Sequence, residues 1–229
     1  QTADSTLGET VTELFRIDLG RSPAITVMEP SQVKVMLGLM NRAPDTPVTE
    51  AVAAEIAVRE GIKAFIAGDI RTLGDGFVLS ARVVDARSGT TLLSARGTAT
   101  SAADVIPAVD RMSRELREGI GESLRDIRAE PSLEQVTTAS MPALRLYTQA
   151  ERVSDQGDYD RAIALLEEAT AQDSLFAMAW RRIGMYYGNR GDPESQARGR
   201  AALERALALK DRVSRRERYM IEAGYATRV

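Results

Sequence analysis

Cysteine and histidine are both absent from the 229 residues. That double absence excludes thiolate and imidazole zinc sites, disulfides, cysteine nucleophiles, histidine general bases and Ser-His-Asp triads together. Lack of cysteine agrees equally with a reducing and an oxidising compartment. No apolar run approaches the roughly 18 residues of a membrane-spanning helix. The N-terminus has no basic stretch followed by an apolar core, so it does not read as a signal peptide. Nor is there an excess of positive charge. A net charge of −3 and a pI near 5.3 give no argument for nucleic acid or an anionic membrane surface as partner. Kinase chemistry is missing as well: without histidine there is no HRD-type catalytic loop, and neither a Gly-rich loop nor DFG occurs.

What is present is the composition of a folded chain, 44% hydrophobic and 28% charged, long enough for one large domain or two ordinary ones. It opens on Gln1 rather than methionine, which reads as processing or truncation of something longer.

The first 130 residues alternate between helical and strand patterns. Leu7, Val11, Leu14, Phe15 and Leu19 recur at helical spacing. "AITVM" (24–28) reads as a short buried strand. A helix is expected from Pro30 onward, and another over 49–60 with Thr49 as its cap. Between 64 and 100 lies the clearest β segment, broken by "GDG" (74–76) and "RSG" (87–89). Alternation of Phe77, Leu79, Ala81 and Val83 turns one face inward and leaves Ser80 and Arg82 outward. Three antiparallel strands are predicted, about 64–72, 76–86 and 90–100. A long helix follows over 103–127, with Val105, Val109, Met112, Leu116, Ile120 and Leu124 on one side. Residues 131–142, polar and proline-containing, read as a linker. Every later pattern is helical. The fold class is therefore an α/β (α+β) domain over 1–130, with a sheet of three or more strands and packed helices, followed by an all-α region over 143–229.

The helical part repeats. Gly157-Asp158 recurs as Gly191-Asp192, and 191 − 157 = 34. Small residues stand at Ala150, Ala162, Ala169 and Gly184, where paired helices would approach closely. Large ones stand at Leu146, Val153, Leu166, Trp180, Ile183 and Tyr187. In the second unit about three extra residues place Gly199 and Ala206 at the later small positions, which implies a longer turn. This pattern resembles the tetratricopeptide repeat, with Trp180, Gly184 and Tyr187 as its most recognisable triplet. Departures are Gln149 at a usually apolar position, and Ser174 and Asp211 where proline is frequent. The units run 143–176 and 177–211, with a third, truncated one from 214.

Residues 136–184 also resemble the segment that joins an α/β domain to such repeats in large bacterial eukaryotic-like serine/threonine kinases. The stretches "LGETVTELFRIDLGRSPAITVMEPSQV" and "GIKAFIAGDIRTLGDGFVLSARVVDARSGTTLLSARG" are similar to TolB N-terminal, CsgG and FlgO-like domains of envelope proteins. In those domains an apolar strand stands before the equivalent of "QTADSTLG", and the sequence given begins without it. The resemblance implies an extracytoplasmic or periplasmic location, tethered to the membrane through a segment outside this chain.

The repeat resemblance further implies that the first helix of each pair faces a concave surface. That places Leu144, Tyr147, Glu151 and Ser154, then Met178, Arg181, Met185 and Gly188, on a groove suited to a protein or peptide partner. The remaining features read as architecture. "GDGFVLS" sits between strands and is a hairpin turn rather than a phosphate loop. Adjacent Glu167 and Glu168 point to different sides of a helix. Arg212, Arg215, Arg216 and Arg218 are interrupted by acids and lack an aromatic platform. No catalytic, cofactor-binding or metal-ligating constellation stands out. The expectation is a non-enzymatic sensory or regulatory interaction module, with homo-oligomers conceivable and no nucleic acid involved. The rival expectation is an envelope assembly scaffold without signalling.

Overall fold

Period-2 alternation and two glycine turns place the strands where the sequence predicts them. The computed structural model describes residues 5–229 and contains β1 (Ala64–Leu73), β2 (Gly76–Asp85) and β3 (Thr91–Ala99), antiparallel in the order β1-β2-β3. Pairing of Ile70 with Leu79, and of Leu79 with Gly97, fixes the face that carries Leu79, Ala81 and Val83, all buried. This face lies under α4 (Val105–Ile120): a Cβ built on Gly97 would fall 2.7 Å from Met112 Sδ. The opposite face carries Arg82, which pairs at 2.5 Å with Glu50 at the start of α3 (Glu50–Arg59). Thr49 caps that helix, its hydroxyl accepting from the Val52 amide. α2 (Pro30–Leu39) packs against α3 in a small separate cluster of Met36, Leu37, Val52 and Ile56.

The expected strand over 24–28 is not formed. Ile25 and Val27 pack against the main core, but the segment belongs to no ladder. β-propensity without a neighbouring edge does not make a strand. The expected continuous helix over 103–127 is also interrupted. Gly121 adopts a left-handed conformation (φ 104°) and ends α4, and α5 (Leu124–Ala129) starts afresh. Ile120 and Leu124, assigned to the buried stripe, are each 42% exposed as a result.

The segment 131–142 does not behave as a linker. It contains the short α6 (Leu133–Val136), and Leu133, Val136, Thr138 and Met141 are buried. Its polar backbone is satisfied from the sheet side: Asp110 accepts from the Leu133 amide at 2.8 Å, and Arg21 donates to the Pro131 carbonyl at 2.6 Å. Beneath lies Arg117, bonded to Glu122 and Glu130 and 3.7 Å from Asp18. Prolines and polar residues in a sequence do not reveal partners supplied by a helix that precedes them.

From Met141 the chain forms two helix hairpins and a fifth helix: α7 (Met141–Asp155) with α8 (Tyr159–Gln172), α9 (Ala177–Gly188) with α10 (Pro193–Ala208), then α11 (Arg215–Arg228) against α9 and α10. Backbones approach most closely at glycines. A Cβ on Gly184 would lie 2.5 Å from Leu203 Cγ and 2.9 Å from the Gly199 carbonyl. α1 (Ser5–Leu19) packs on α4 and also on α7, so a single apolar cluster runs from the sheet into the hairpins.

Candidate functional site

Where α1 bridges to α7, a cavity of about 1380 Å³ opens between the sheet side and the hairpins. Its walls come from α1 (Glu13, Arg16, Ile17), the start of α2 (Glu29, Lys34), the edge of β1 (Phe65 to Gly68), α7 (Tyr147, Glu151, Ser154), α9 (Met178, Arg182) and the start of α11 (Arg216, Glu217).

Ion pairs cross this lining. Arg182 Nη2 donates to Glu151 Oε2 at 2.5 Å, across from one hairpin to the next. Arg16 holds Glu13 through two bonds of 2.7 and 2.6 Å. Arg216 pairs with Glu29, and Lys34 with Asp155, joining α11 and α7 to the sheet-side helix. Burial pushes the Glu151 carboxyl above its ordinary value of 4.5, with Arg182 drawing it back only in part. Burial likewise raises the Tyr147 phenol, whose ring packs 5.0 Å from that of Phe176. Glu217 is raised by burial too, although Ser214 donates to it in a capping box that starts α11.

Two buried polar atoms of residues that line the cavity lack hydrogen-bond partners among the described residues: Glu151 Oε1, an acceptor, and Arg182 Nε, a donor. Glu29 Oε1, beside Arg216, also lacks a bond of acceptable geometry. Buried polar atoms are normally satisfied, so the unbonded Glu151 Oε1 and Arg182 Nε set this wall apart, whereas Glu29 Oε1 keeps its ion pair with Arg216.

The residues expected to line the concave face divide. Tyr147, Glu151, Ser154 and Met178 do line the cavity. Leu144, Arg181 and Met185 do not. Leu144 is fully buried, Arg181 donates to the Met220 carbonyl at 2.9 Å, and Met185 packs toward Gly224. Gly188 lies against Arg228. α11 therefore covers one end of the expected groove and α1 the other. Sequence patterns alone did not point to Arg182, Arg16, Glu29 or the β1 edge. Arg182 follows Met178 by four residues and so shares its helix face, which was a usable signal.

The other charged candidates are structural. Glu167 accepts from the Tyr187 hydroxyl at 2.9 Å and from Arg198 at 2.7 Å. Arg218 pairs with Asp211 and Glu222, and Arg215 lies over the Tyr219 ring. Among the described residues no cluster of acidic side chains could hold a metal ion, and no helix is long and apolar enough to cross a membrane. No family model, curated protein or solved structure matches the chain.

Proposed function

We propose that the chain is a non-enzymatic interaction module, sensory or regulatory in role, that takes a protein or peptide partner at the junction of its sheet and its helix hairpins. The observation that carries this reading is the cavity itself. It is walled by both parts, and Glu151 and Arg182, which line it, each hold a buried polar atom without a hydrogen-bond partner among the described residues. The 34-residue recurrence and the close approach at Gly184 and Gly199 support treating the hairpins as tetratricopeptide-type repeats, a scaffold suited to grasping polypeptide. The resemblance of the sheet part to TolB N-terminal and CsgG-like domains supports a place in a larger bacterial envelope or receptor-kinase-type protein, outside the cytoplasm. In that setting the partner would bias an attached output domain through the junction.

A scaffold without signalling is favoured by one observation, the buried Arg117 network that fixes the junction. A photo-crosslinking residue at Ser154, inside the cavity, and at Arg161, exposed on α8, separates partner binding from its absence. Adducts to one protein from Ser154 and none from Arg161 are expected in cells that make the protein. Absence of adducts from Ser154 would sink the reading. Scattering profiles that are identical with and without the captured partner would favour the scaffold over the sensor.

A further inference from the structure

Resting on the reading that the cavity takes a partner, we infer that the first turn of α11 is a proton-operated gate on it. The turn stays drawn in toward α1 while Glu217 carries a proton, and moves outward when Glu217 ionises.

The carboxylates around the cavity show where such a device sits. Of the eight that line it, six are ion-paired within the chain. Asp45, the seventh, is exposed in the loop between α2 and α3. Glu217 is the eighth. It is 7% exposed and forms no ion pair among the described residues. Its bonds come from its own helix start, where Ser214 donates to Oε2 through its hydroxyl at 2.7 Å and its amide at 3.1 Å. A carboxylate taken out of water without a cation is costly, and protonation relieves that cost.

The cations around Glu217 are engaged elsewhere. Arg16, acting on it from α1, is held by Glu13 through two bonds, and Glu13 itself adds a like charge. Arg216 pairs with Glu29 at the start of α2. On α9, Arg182 bonds Glu151 and Arg181 donates to the Met220 carbonyl. Lys210, on the 3-10 turn before α11, bonds Glu222. α10 meets α11 through the apolar Leu203, beside Gly224. Burial therefore holds the Glu217 carboxyl above its ordinary value of 4.5, against the pull of Ser214 and Arg16.

Only the first turn is placed to move. Val213, extended, separates the Ser214 cap from the 3-10 turn Lys210–Arg212. Further along, α11 is fastened to α9: Arg181 bonds at Met220, and Arg228 bonds Asn189 at 2.7 Å. The tie that must stretch is the Arg216–Glu29 pair, which is partly exposed and so weak. Outward movement gives an ionised Glu217 the water it lacks. The folded chain keeps this proton longer than the unfolded one, so the closed position is lost as pH rises from 4.5 through the raised value.

Absence of cysteine lets spin labels be placed at chosen sites. One pair is Thr12→Cys on α1 with Arg215→Cys on α11, and a control pair is Arg161→Cys on α8 with Arg200→Cys on α10, all four positions exposed. Distances are read by double electron–electron resonance in steps upward from pH 4.5. The 12–215 distance should lengthen along one titration curve, while the 161–200 distance stays fixed. Glu217→Gln keeps the capping box, which accepts glutamine at that position, and should hold the short distance throughout. Glu13→Gln frees Arg16 and removes a like charge, so it should move the midpoint to lower pH. A 12–215 distance that ignores pH overturns the gate, as does lengthening that persists in Glu217→Gln. Should that variant not fold, a midpoint unmoved by Glu13→Gln overturns it equally. Change in both label pairs together means general loosening and overturns it too. The two readings fail separately. Adducts from Ser154 with a fixed 12–215 distance sink the gate alone, and a titrating distance without adducts sinks the interaction module alone.

Discussion

Arg117 grips Glu122 through two parallel bonds, Nε to Oε2 at 2.9 Å and Nη2 to Oε1 at 2.6 Å, with its side chain only 1% exposed. The same guanidinium bonds both oxygens of Glu130 at 2.9 Å. Asp18, also buried, accepts from the Ser113 hydroxyl at 2.5 Å and pairs with Arg21 at 2.8 Å. Removing Arg117 takes from Glu122 its ion-pair partner and leaves Arg21 alone to balance both Asp18 and Glu130. Arg117→Ala is expected to cost about 3–5 kcal/mol in urea unfolding. Arg117→Lys should recover only part, since an ammonium cannot reproduce two forked contacts at once. A loss under about 1 kcal/mol for the alanine variant, the size of an exposed ion pair, would mean the network does not hold the junction.

If the junction is welded, the sheet and the hairpins unfold together. Trp180, the single tryptophan, donates to the Ser174 carbonyl at 3.0 Å and reports on α9. Its fluorescence transition in urea should coincide with loss of amide protection in β2. Two separated midpoints would show that the apolar cluster running through α1 does not couple the halves.

Close approach of α9 and α10 leaves no room for a methyl group at Gly184, where one would lie within 3 Å of the Gly199 carbonyl and the Leu203 side chain. Gly184→Ala should therefore lose about 1–3 kcal/mol despite the better helix propensity of alanine. A stabilised variant, read from its melting temperature, would contradict the packing at that crossing.

Glu122 and Glu151 should respond to pH in opposite senses. The Arg117 hydrogen bond holds Glu122 below its ordinary value, so the stability it contributes is full above 4.5 and is lost as pH falls through the lower folded value. Glu151 is raised by burial, so the folded state keeps that proton longer than the unfolded one. Its contribution diminishes as pH rises from 4.5 through the raised value. Glu151→Gln removes the second dependence alone. Relative to the unaltered chain, the variant should gain stability as pH rises across that window, measured by urea midpoints. A difference independent of pH would show that Glu151 does not titrate above its ordinary range.

Local chemistry was legible in the sequence, and non-local chemistry was not. Alternation from Phe77 to Val83 and the cap at Thr49 need only their near neighbours, and both are found. The 24–28 segment has the composition of a strand, yet a ladder needs an adjacent edge that no short window records. The segment after residue 130 looked loose because its partners, Asp110, Arg114 and Arg117, sit in α4. On the hairpins, the spacing identified the face bearing Tyr147, Glu151, Ser154 and Met178. It did not reveal that α1 and α11 cover the rest, which depends on how the chain returns on itself.

The place of α1 has a mechanical consequence. Its 15 residues form a rod of about 22 Å with Leu7, Leu14, Phe15, Ile17 and Leu19 buried. One side is spent on α4 and another on α7. Under tension applied between the two ends of the chain, the load falls first on α11 among the hairpins and on this rod, which props both the hairpins and the sheet. Withdrawing it strips both at once, so the extension trace would show a single large rupture rather than a staircase.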